Sequence, residues 1–167
     1  DVSLDSTAPI TAGIRDIVVT LIIALILVIF VVFVFIQDWR ATLIPTIAIP
    51  VSLIGAFIFF PILGFTINVL SLLGLVLAIG IVVDDAIVVV EAVQVNIANG
   101  MTAKEGTLDA MSKVTAPIIA TTLVLVAVFI PVAAMAGITG LLYQQFAITI
   151  VVSVLVSSVN ALSLSPA

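Results

Sequence analysis

Long apolar runs alternate with short polar segments along this chain. Each run has at least about 20 residues, enough to cross a membrane as a helix at about 1.5 Å per residue. The five predicted spans are residues 17–36, 43–63, 69–92, 114–135 and 143–164. The pattern therefore predicts an all-α fold, a polytopic transmembrane helix bundle.

The connections carry turn and capping signals. Pro61 is expected to end the second span, because proline cannot continue the hydrogen-bond ladder. Thr102 and Glu105 have the spacing of a capping box, in which each side chain satisfies the other residue's backbone N–H. We therefore expect a short membrane-surface helix over residues 103–112, between the third and fourth spans.

The basic residues are unequally divided between the two sides of the predicted bundle. Arg40, Lys104 and Lys113 fall in the two loops on one side, whereas Arg15 alone precedes the first span. Cytoplasmic loops carry an excess of Lys and Arg, so the side with three is predicted to be cytoplasmic. Residues 1–16 form a polar tail that is expected to follow a preceding domain, which makes the chain a segment of a longer protein.

The amino-acid composition excludes several classes of protein and of binding site. The chain is 64% hydrophobic and 8% charged, whereas soluble domains have about 25% charged residues. It lacks cysteine and histidine, which excludes disulfides and removes the commonest metal ligands. We predict no metal and no cofactor. Four scattered basic residues give no electrostatic footprint for a nucleic acid, so membrane lipid is the expected surrounding.

Two adjacent carboxyl groups, Asp84 and Asp85, lie near the middle of the third span. The surrounding run, residues 74–91, reads GLVLAIGIVVDDAIVVVE. Each carboxylate at this depth costs roughly 2.5–3.5 kcal/mol on insertion scales. Because the two groups are neighbours, we expect the protonation of one to depend on that of the other. Such a cost points to function, and the alternative is a structural polar pair that fixes helix packing.

Helical periodicity places the two aspartates on neighbouring faces of the third span. Both are expected to point into a helix interface or a water-filled cleft. The face of Asp85 is otherwise made of small residues, and it consists of Ser71, Gly74, Ala78, Asp85 and Ala92. The face of Asp84 also carries Gly80 and Glu91. Glu91 is a candidate exit station for a proton, or alternatively an interfacial or packing carboxylate.

The fifth span carries a polar stripe that should face the bundle interior. Its members recur at helical spacing, and they are Gln145, Thr149, Ser153, Ser157 and Asn160. Hydrogen bonding between helices is the default explanation. The alternative is a hydrated proton path beside the aspartates, formed by Ser153, Ser157 and Asn160. Since no basic residue lies in any span, a basic partner for the aspartates must come from elsewhere.

Residues 74–91 resemble the fourth transmembrane helix of resistance-nodulation-division (RND) multidrug efflux pumps. The segments QDWRATLIPTIAIP (37–50), GFTINVLSLLG (64–74) and TGLLYQQFAITIVVS (139–153) are also similar to that family. The adjacent acids favour its hydrophobe/amphiphile exporter branch. One departure is Ala92, where the family usually has asparagine.

The resemblance implies a secondary active transporter and not an enzyme. Asp84 and Asp85 would form the proton relay, with protons as the coupling ion. The chain would be helices two to six of the first half, with residues 1–16 ending a periplasmic domain. A second transmembrane half would supply the basic partner. The whole pump would be a homotrimer in the bacterial inner membrane, working with a periplasmic adaptor and an outer-membrane channel to export amphiphilic compounds.

Other functions remain open at this point. A protein-export or lipid-export member of the same superfamily would share the fold. An intramembrane aspartyl protease needs two aspartates on different helices, and here they are adjacent. A passive channel would need a repeated ring of pore-lining groups, which one chain does not show.

Overall fold

The computed structural model describes residues 7–163 and 165–166 of the chain. Within these residues the chain forms five helices and no strand. The helices are α1 (Thr7–Ile36), α2 (Trp39–Ile62), α3 (Val69–Ala98), α4 (Ala103–Ala133) and α5 (Gly137–Ser163). Each is long and apolar enough to cross a membrane. The predicted all-α bundle of five spans is confirmed, and the chain is a multi-pass membrane protein.

The predicted surface helix over residues 103–112 is not a separate element. Instead, α4 runs without a break from Ala103 to Ala133. Its N-terminus forms as predicted, with Thr102 as N-cap and Glu105 completing the capping box. The physical reason for the continuity is that no proline lies in α4 before Pro117 and that no glycine lies near the expected break, where the ion pair from Lys113 to Asp109 spans one turn.

The other four helices also extend beyond their predicted spans. α2 begins at Trp39 and not at residue 43, and α5 begins at Gly137 and not at residue 143. α1 begins at Thr7, so the residues 7–16 that were assigned to a polar tail are helical. α3 continues to Ala98, six residues past its predicted end. Mixed polar and apolar residues allow a helix to project out of the hydrocarbon, and hydropathy alone detects only the apolar part. Residues 1–6, and residue 164 at the predicted end of the fifth span, lie outside the described residues.

The ends of α2 follow from local chemistry. Asp38 is the N-cap, and its side chain accepts a hydrogen bond of 2.9 Å from the backbone N–H of Arg40. The helix ends at Ile62, directly after Pro61. Gly64 then has φ +69°, a left-handed conformation that glycine adopts without steric cost. The predicted stop near Pro61 is therefore confirmed.

α3 is the central element of the bundle. It packs against each of the other four helices, most extensively against α5. One buried cluster joins α3 to α1 and α2, and it consists of Val32, Ile49, Leu53, Ala56, Leu72, Leu75, Ile79 and Val83. A second joins α3 to α4 and α5, and it consists of Val89, Val114, Ile118 and Ala161. The aspartate pair of α3 lies between these clusters along the helix.

The outer surface of the bundle is apolar. Large hydrophobic side chains are exposed on all five helices, and on α1 they include Ile26, Leu27, Phe30 and Phe35. A soluble monomer rarely exposes contiguous apolar patches of this extent. In a bilayer such a surface can lie against acyl chains or further apolar helices, which agrees with five membrane-crossing helices.

Candidate functional site

The helix that carries the aspartates is fixed at its start by its own sequence. Asn68 is the N-cap of α3, and its side chain accepts hydrogen bonds of 2.9 Å from the backbone N–H groups of Leu70 and Ser71. The Ser71 hydroxyl in turn accepts from the Asn68 backbone N–H at 2.9 Å. This capping box sets the register of α3. It thereby sets the directions in which Asp84 and Asp85 project.

Asp85 faces α5 at a closely packed contact that we call the α3/α5 seam, formed on α3 by Ser71, Gly74, Ala78 and Asp85. A Cβ placed on Gly74 would lie 3.1 Å from the carbonyl oxygen of Phe146 and 3.3 Å from the Cβ of Thr149. Both distances are shorter than ordinary van der Waals contact, so a larger residue at position 74 would require α5 to shift. The predicted small-residue face of α3 therefore does receive a neighbouring helix.

Ser157 brings a hydroxyl to the half-buried Asp85. Its Oγ lies 3.1 Å from the carbonyl oxygen of Val82 and 3.4 Å from Oδ2 of Asp85. The Ser157 side chain is buried. One hydroxyl proton is thus shared between a backbone carbonyl and a carboxyl group, and the contact with the carboxyl is the longer one. The seam holds Asp85 loosely and leaves its second oxygen without a hydrogen-bond partner among the described residues.

Asp84 faces a different side of α3. It is exposed and lines a groove of about 540 Å³ between α3 and α4. This groove, the Asp84 groove, is lined by Gly80, Ile81, Asp84, Ala120, Thr121, Val124 and Leu125. The hydroxyl of Thr121 donates within its own helix, to the carbonyl oxygen of Ile118 at 3.0 Å. Among the described residues, no side chain donates a hydrogen bond to Asp84.

Glu91 lies about 10 Å further along α3, exposed and on the same side as Asp84. It lines a second groove between α3 and α4, of about 350 Å³. This is the Glu91 groove, lined by Val88, Glu91, Ala92, Val95, Asn96, Ala110, Lys113 and Val114. Glu91 and Gln94 also border a third groove, of about 380 Å³, between α3 and α1. No ion pair to Glu91 occurs within the described part of the chain.

The polar stripe of α5 does face the interior, but its members differ in what they touch. Thr149 and Ser153 are buried, and each hydroxyl donates to the carbonyl oxygen four residues earlier, at 2.7 and 2.8 Å. Asn160 faces α2, where its Nδ2 lies 3.4 Å from both the carbonyl oxygen of Ala48 and the hydroxyl of Ser52. Of the three α5 residues predicted near the aspartates, only Ser157 is brought to them.

The electrostatics of the site are those of unpaired carboxyl groups. The only ion pair within residues 7–163 and 165–166 joins Lys113 to Asp109. Over the same residues, no cluster of three or more metal-ligating side chains occurs. The two aspartates project about 100° apart around one helix, so they do not face each other across a cleft. Chemically, the arrangement can bind and release protons and can pair with a cation brought from outside the described bundle.

The AcrB/AcrD/AcrF family model matches residues 1–167 of the chain. The chain belongs to the AcrB/AcrD/AcrF family. The resemblance to RND multidrug efflux pumps that was drawn from residues 74–91 and three further segments is thereby confirmed. Within this family framework, α3 is the helix that resembles the fourth transmembrane helix of the pumps.

Curated relatives agree with the family match. The chain is 47% identical over 164 residues to multidrug resistance protein MdtF of Escherichia coli. It is 46% identical to multidrug export protein AcrF of Escherichia coli and 44% identical to solvent-resistant pump membrane transporter SrpB of Pseudomonas putida, each over 164 residues. Each alignment covers 98% of this chain and 16% of the relative. These relatives are transporters, and the chain spans only a small part of their length.

Sequence reasoning missed two polar contacts between elements. The side chain of Asn68 donates to Oε1 of Gln145, which joins the start of α3 to α5. Asn96, buried near the end of α3, donates to the carbonyl oxygen of Gly106 at 2.8 Å and to Oδ2 of Asp109 at 2.9 Å. The i,i+4 spacing of Asp109 and Lys113 was a readable signal for an ion pair. No comparable sequence signal identifies the partners of Asn68 and Asn96, which lie on other helices.

Proposed function

We propose that this chain is a transmembrane segment of a proton-driven efflux transporter, a secondary active antiporter of the AcrB/AcrD/AcrF family. Asp84 and Asp85 carry the coupling proton. One observation carries the proposal: two adjacent carboxyl groups lie near the middle of a membrane-crossing helix, and no cation within the described bundle neutralises them. The names of MdtF, AcrF and SrpB support multidrug or solvent efflux as the transported class.

The two carboxyls serve different parts of this function. Asp85 is held at the α3/α5 seam by Ser157, so its position changes when α5 moves relative to α3. Asp84 opens into the Asp84 groove, where water or a cationic side chain can reach it. A proton that binds the pair removes a buried charge and so changes which helix arrangement is favoured. Coupling requires such a two-state element biased by protonation.

The rest of the transporter supplies what the described bundle lacks. A second transmembrane half places a basic residue against Asp84 and Asp85, since an ionised pair in hydrocarbon needs a cationic partner. The assembly is a homotrimer in the bacterial inner membrane, and it works with a periplasmic adaptor and an outer-membrane channel. Residues 1–16 continue from a periplasmic domain. These features rest on family membership and on the resemblance described above.

The direct test replaces each carboxyl by its uncharged isostere in the transporter that contains this segment. Asp84→Asn and Asp85→Asn should each abolish gradient-driven export, because the amide keeps the shape and loses the titration. Glu105→Gln is the matched control, since Glu105 is an exposed capping residue far from the pair along the chain. Protein level and oligomeric state are measured for all three variants. Export at the parental rate by both Asn variants would refute the proton-relay assignment.

Membrane orientation is tested with single cysteines on opposite ends of the bundle. Leu141 is suited to one end because it is exposed, whereas a Cβ on the adjacent Gly140 would clash with the backbone of Met135. Met101 is the exposed counterpart in the α3–α4 loop. An impermeant thiol reagent on spheroplasts should label the Leu141→Cys variant and spare Met101→Cys. The reverse pattern would invert the proposed topology.

A further inference from the structure

The Asp84 groove and the Glu91 groove are lined by the same two antiparallel helices. Asp84 and Glu91 are seven residues apart on α3, and Thr121 and Lys113 are eight residues apart on α4. At about 1.5 Å per residue, both pairs span about 10–12 Å in the same direction. Val88 is the α3 residue between the two carboxyls, and it lines the Glu91 groove. The two grooves therefore follow one another along a single helix interface.

Lys113 occupies the end of this interface beside the α3–α4 loop. Its Nζ lies 2.5 Å from Oδ2 of Asp109, and the Lys113 side chain is 64% exposed. An exposed ion pair one helical turn apart contributes little to stability. A lysine side chain also has a flexible four-carbon stem, which lets the ammonium group reach more than one position. Lys113 can therefore leave Asp109 at little cost.

Asp109 remains hydrogen-bonded when Lys113 leaves. The same Oδ2 atom accepts a hydrogen bond of 2.9 Å from Nδ2 of Asn96. Asn96 also donates to the carbonyl oxygen of Gly106 at 2.8 Å, so its amide is fixed between the two helices. Asp109 thus has a second partner, whereas Glu91, in the same groove, has no ion-pair partner within the described residues.

The charged groups around Glu91 leave one candidate partner. On α3 the other charged groups are Asp84 and Asp85, and on α4 the groove is lined by Lys113, with Asp109 beside it. α5 has no charged residue over 137–163. The charged residues of α1 are Arg15 and Asp16, at the end remote from Glu91. The two grooves that Glu91 borders are not lined by the charged residues at the start of α2, Asp38 and Arg40, or by those in the first turn of α4, Lys104 and Glu105. Lys113 is the cation that shares a groove with Glu91 in the part of the chain that the structure describes.

We propose that Lys113 is a positioning residue for the proton path and pairs alternately with Asp109 and Glu91. This rests on the proposed proton-driven function. When the Glu91 carboxyl releases its proton to water at the loop end of the groove, the Lys113 ammonium moves to the carboxylate. When Glu91 takes up a proton that comes through the Asp84 groove, Lys113 returns to Asp109. Lys113 stays protonated throughout, and the transferred proton passes only between Glu91 and water.

The first test compares lysine variants in the transporter that contains this segment. Lys113→Gln should slow export on the order of tenfold and shift its pH profile, because Glu91 has then lost its cationic partner. Lys113→Arg should restore both, since it keeps the charge. Lys104→Gln is the matched control, because Lys104 is exposed near the same end and does not line the groove. An unchanged rate and pH profile for Lys113→Gln would overturn the proposal.

The second test separates the role of Glu91 from a purely structural role of the Asp109 pair. The labelling rate of the Lys113 amine by an acylating reagent is measured by mass spectrometry relative to that of Lys104. Glu91→Gln should raise the Lys113 rate at least about twofold, because the Glu91-bound state is lost. If Glu91→Gln leaves this rate unchanged while Asp109→Asn raises it, Lys113 serves Asp109 alone and the proposal fails.

The proposed proton relay and the proposed role of Lys113 are refuted by different outcomes. If Asp84→Asn and Asp85→Asn both still export at the parental rate, the proton-relay assignment itself is refuted. If Asp84→Asn abolishes export but Lys113→Gln behaves like Lys104→Gln, the proton relay stands and the role of Lys113 is refuted. The labelling measurement does not depend on transport, so it remains decisive even where Glu91→Gln is inactive.

Discussion

The two neighbouring faces of α3 are built in opposite ways. The α3/α5 seam is closed, with Gly74 and Ala78 buried and Asp85 touched by Ser157. The interface with α4 is grooved, and it exposes Asp84 and Glu91. Adjacent residues on a helix point about 100° apart, so one step along the chain moves a carboxyl from one face to the other. A pair of adjacent aspartates can therefore connect a packed helix contact to an open path.

The largest loss of stability is expected when a larger side chain is placed in the α3/α5 seam. Gly74→Val should destabilise the folded protein by about 1–3 kcal/mol or more, because its Cβ would press on the Phe146 backbone and on Thr149. Gly80→Val is the matched groove substitution, and a Cβ there has no atom within 4 Å. Thermal unfolding of the detergent-purified transporter measures both. If both variants lose the same stability, another helix fills the Asp84 groove in the assembled transporter, and the contrast between the faces does not hold.

A second prediction concerns the loop end of the grooved interface. Asn96→Leu removes two hydrogen bonds to α4 and leaves the Gly106 carbonyl without that donor, which should cost about 1–3 kcal/mol. Gln94→Leu is the control, because Gln94 makes no side-chain hydrogen bond among the described residues. The readout is again thermal stability. Equal losses for the two variants would show that Asn96 does not join α3 to α4.

The smallest loss of stability is expected where α5 contacts the start of α3. Gln145→Leu removes the acceptor of the Asn68 amide, and interhelical hydrogen bonds in membranes average about 0.6 kcal/mol. Thr121→Val in the Asp84 groove should cost less, because the Thr121 hydroxyl bonds only within its own helix. Unfolding by steric trapping or by mechanical force, neither of which needs urea, resolves differences of this size in the free energy of unfolding. A larger loss of stability for Thr121→Val than for Gln145→Leu would contradict the description of the α5 side of α3 as closed and the α4 side as grooved.

Much of the fold follows from one-dimensional patterns. The five spans appear as long apolar runs with few charges, since hydrocarbon tolerates few charges. The start of α4 was readable from Thr102 and Glu105, because a capping box is a local motif. The small-residue face with Gly74 and Ala78 was readable from helical spacing. The continuity of α4 could not be predicted from the sequence, because hydropathy marks only the part of a helix that matches apolar surroundings.

The partners of individual polar groups could not be predicted in the same way. Ser157 and Asn160 belong to one stripe of α5, yet Ser157 contacts α3 and Asn160 contacts α2. Which neighbour each meets depends on the rotation and crossing of whole helices, which a single sequence does not encode locally. Asn68 and Gln145 are 77 residues apart and meet for the same reason.

The assignment of the coupling proton to Asp84 and Asp85 is tested most directly by measuring proton movement. The purified transporter is reconstituted in liposomes with a pH-sensitive dye enclosed, and a transported amphiphile is added under an imposed proton gradient. The parental protein should show amphiphile-dependent proton flux. Asp84→Asn and Asp85→Asn should each show none while still binding the amphiphile. Proton flux at the parental rate in both variants would contradict the claim.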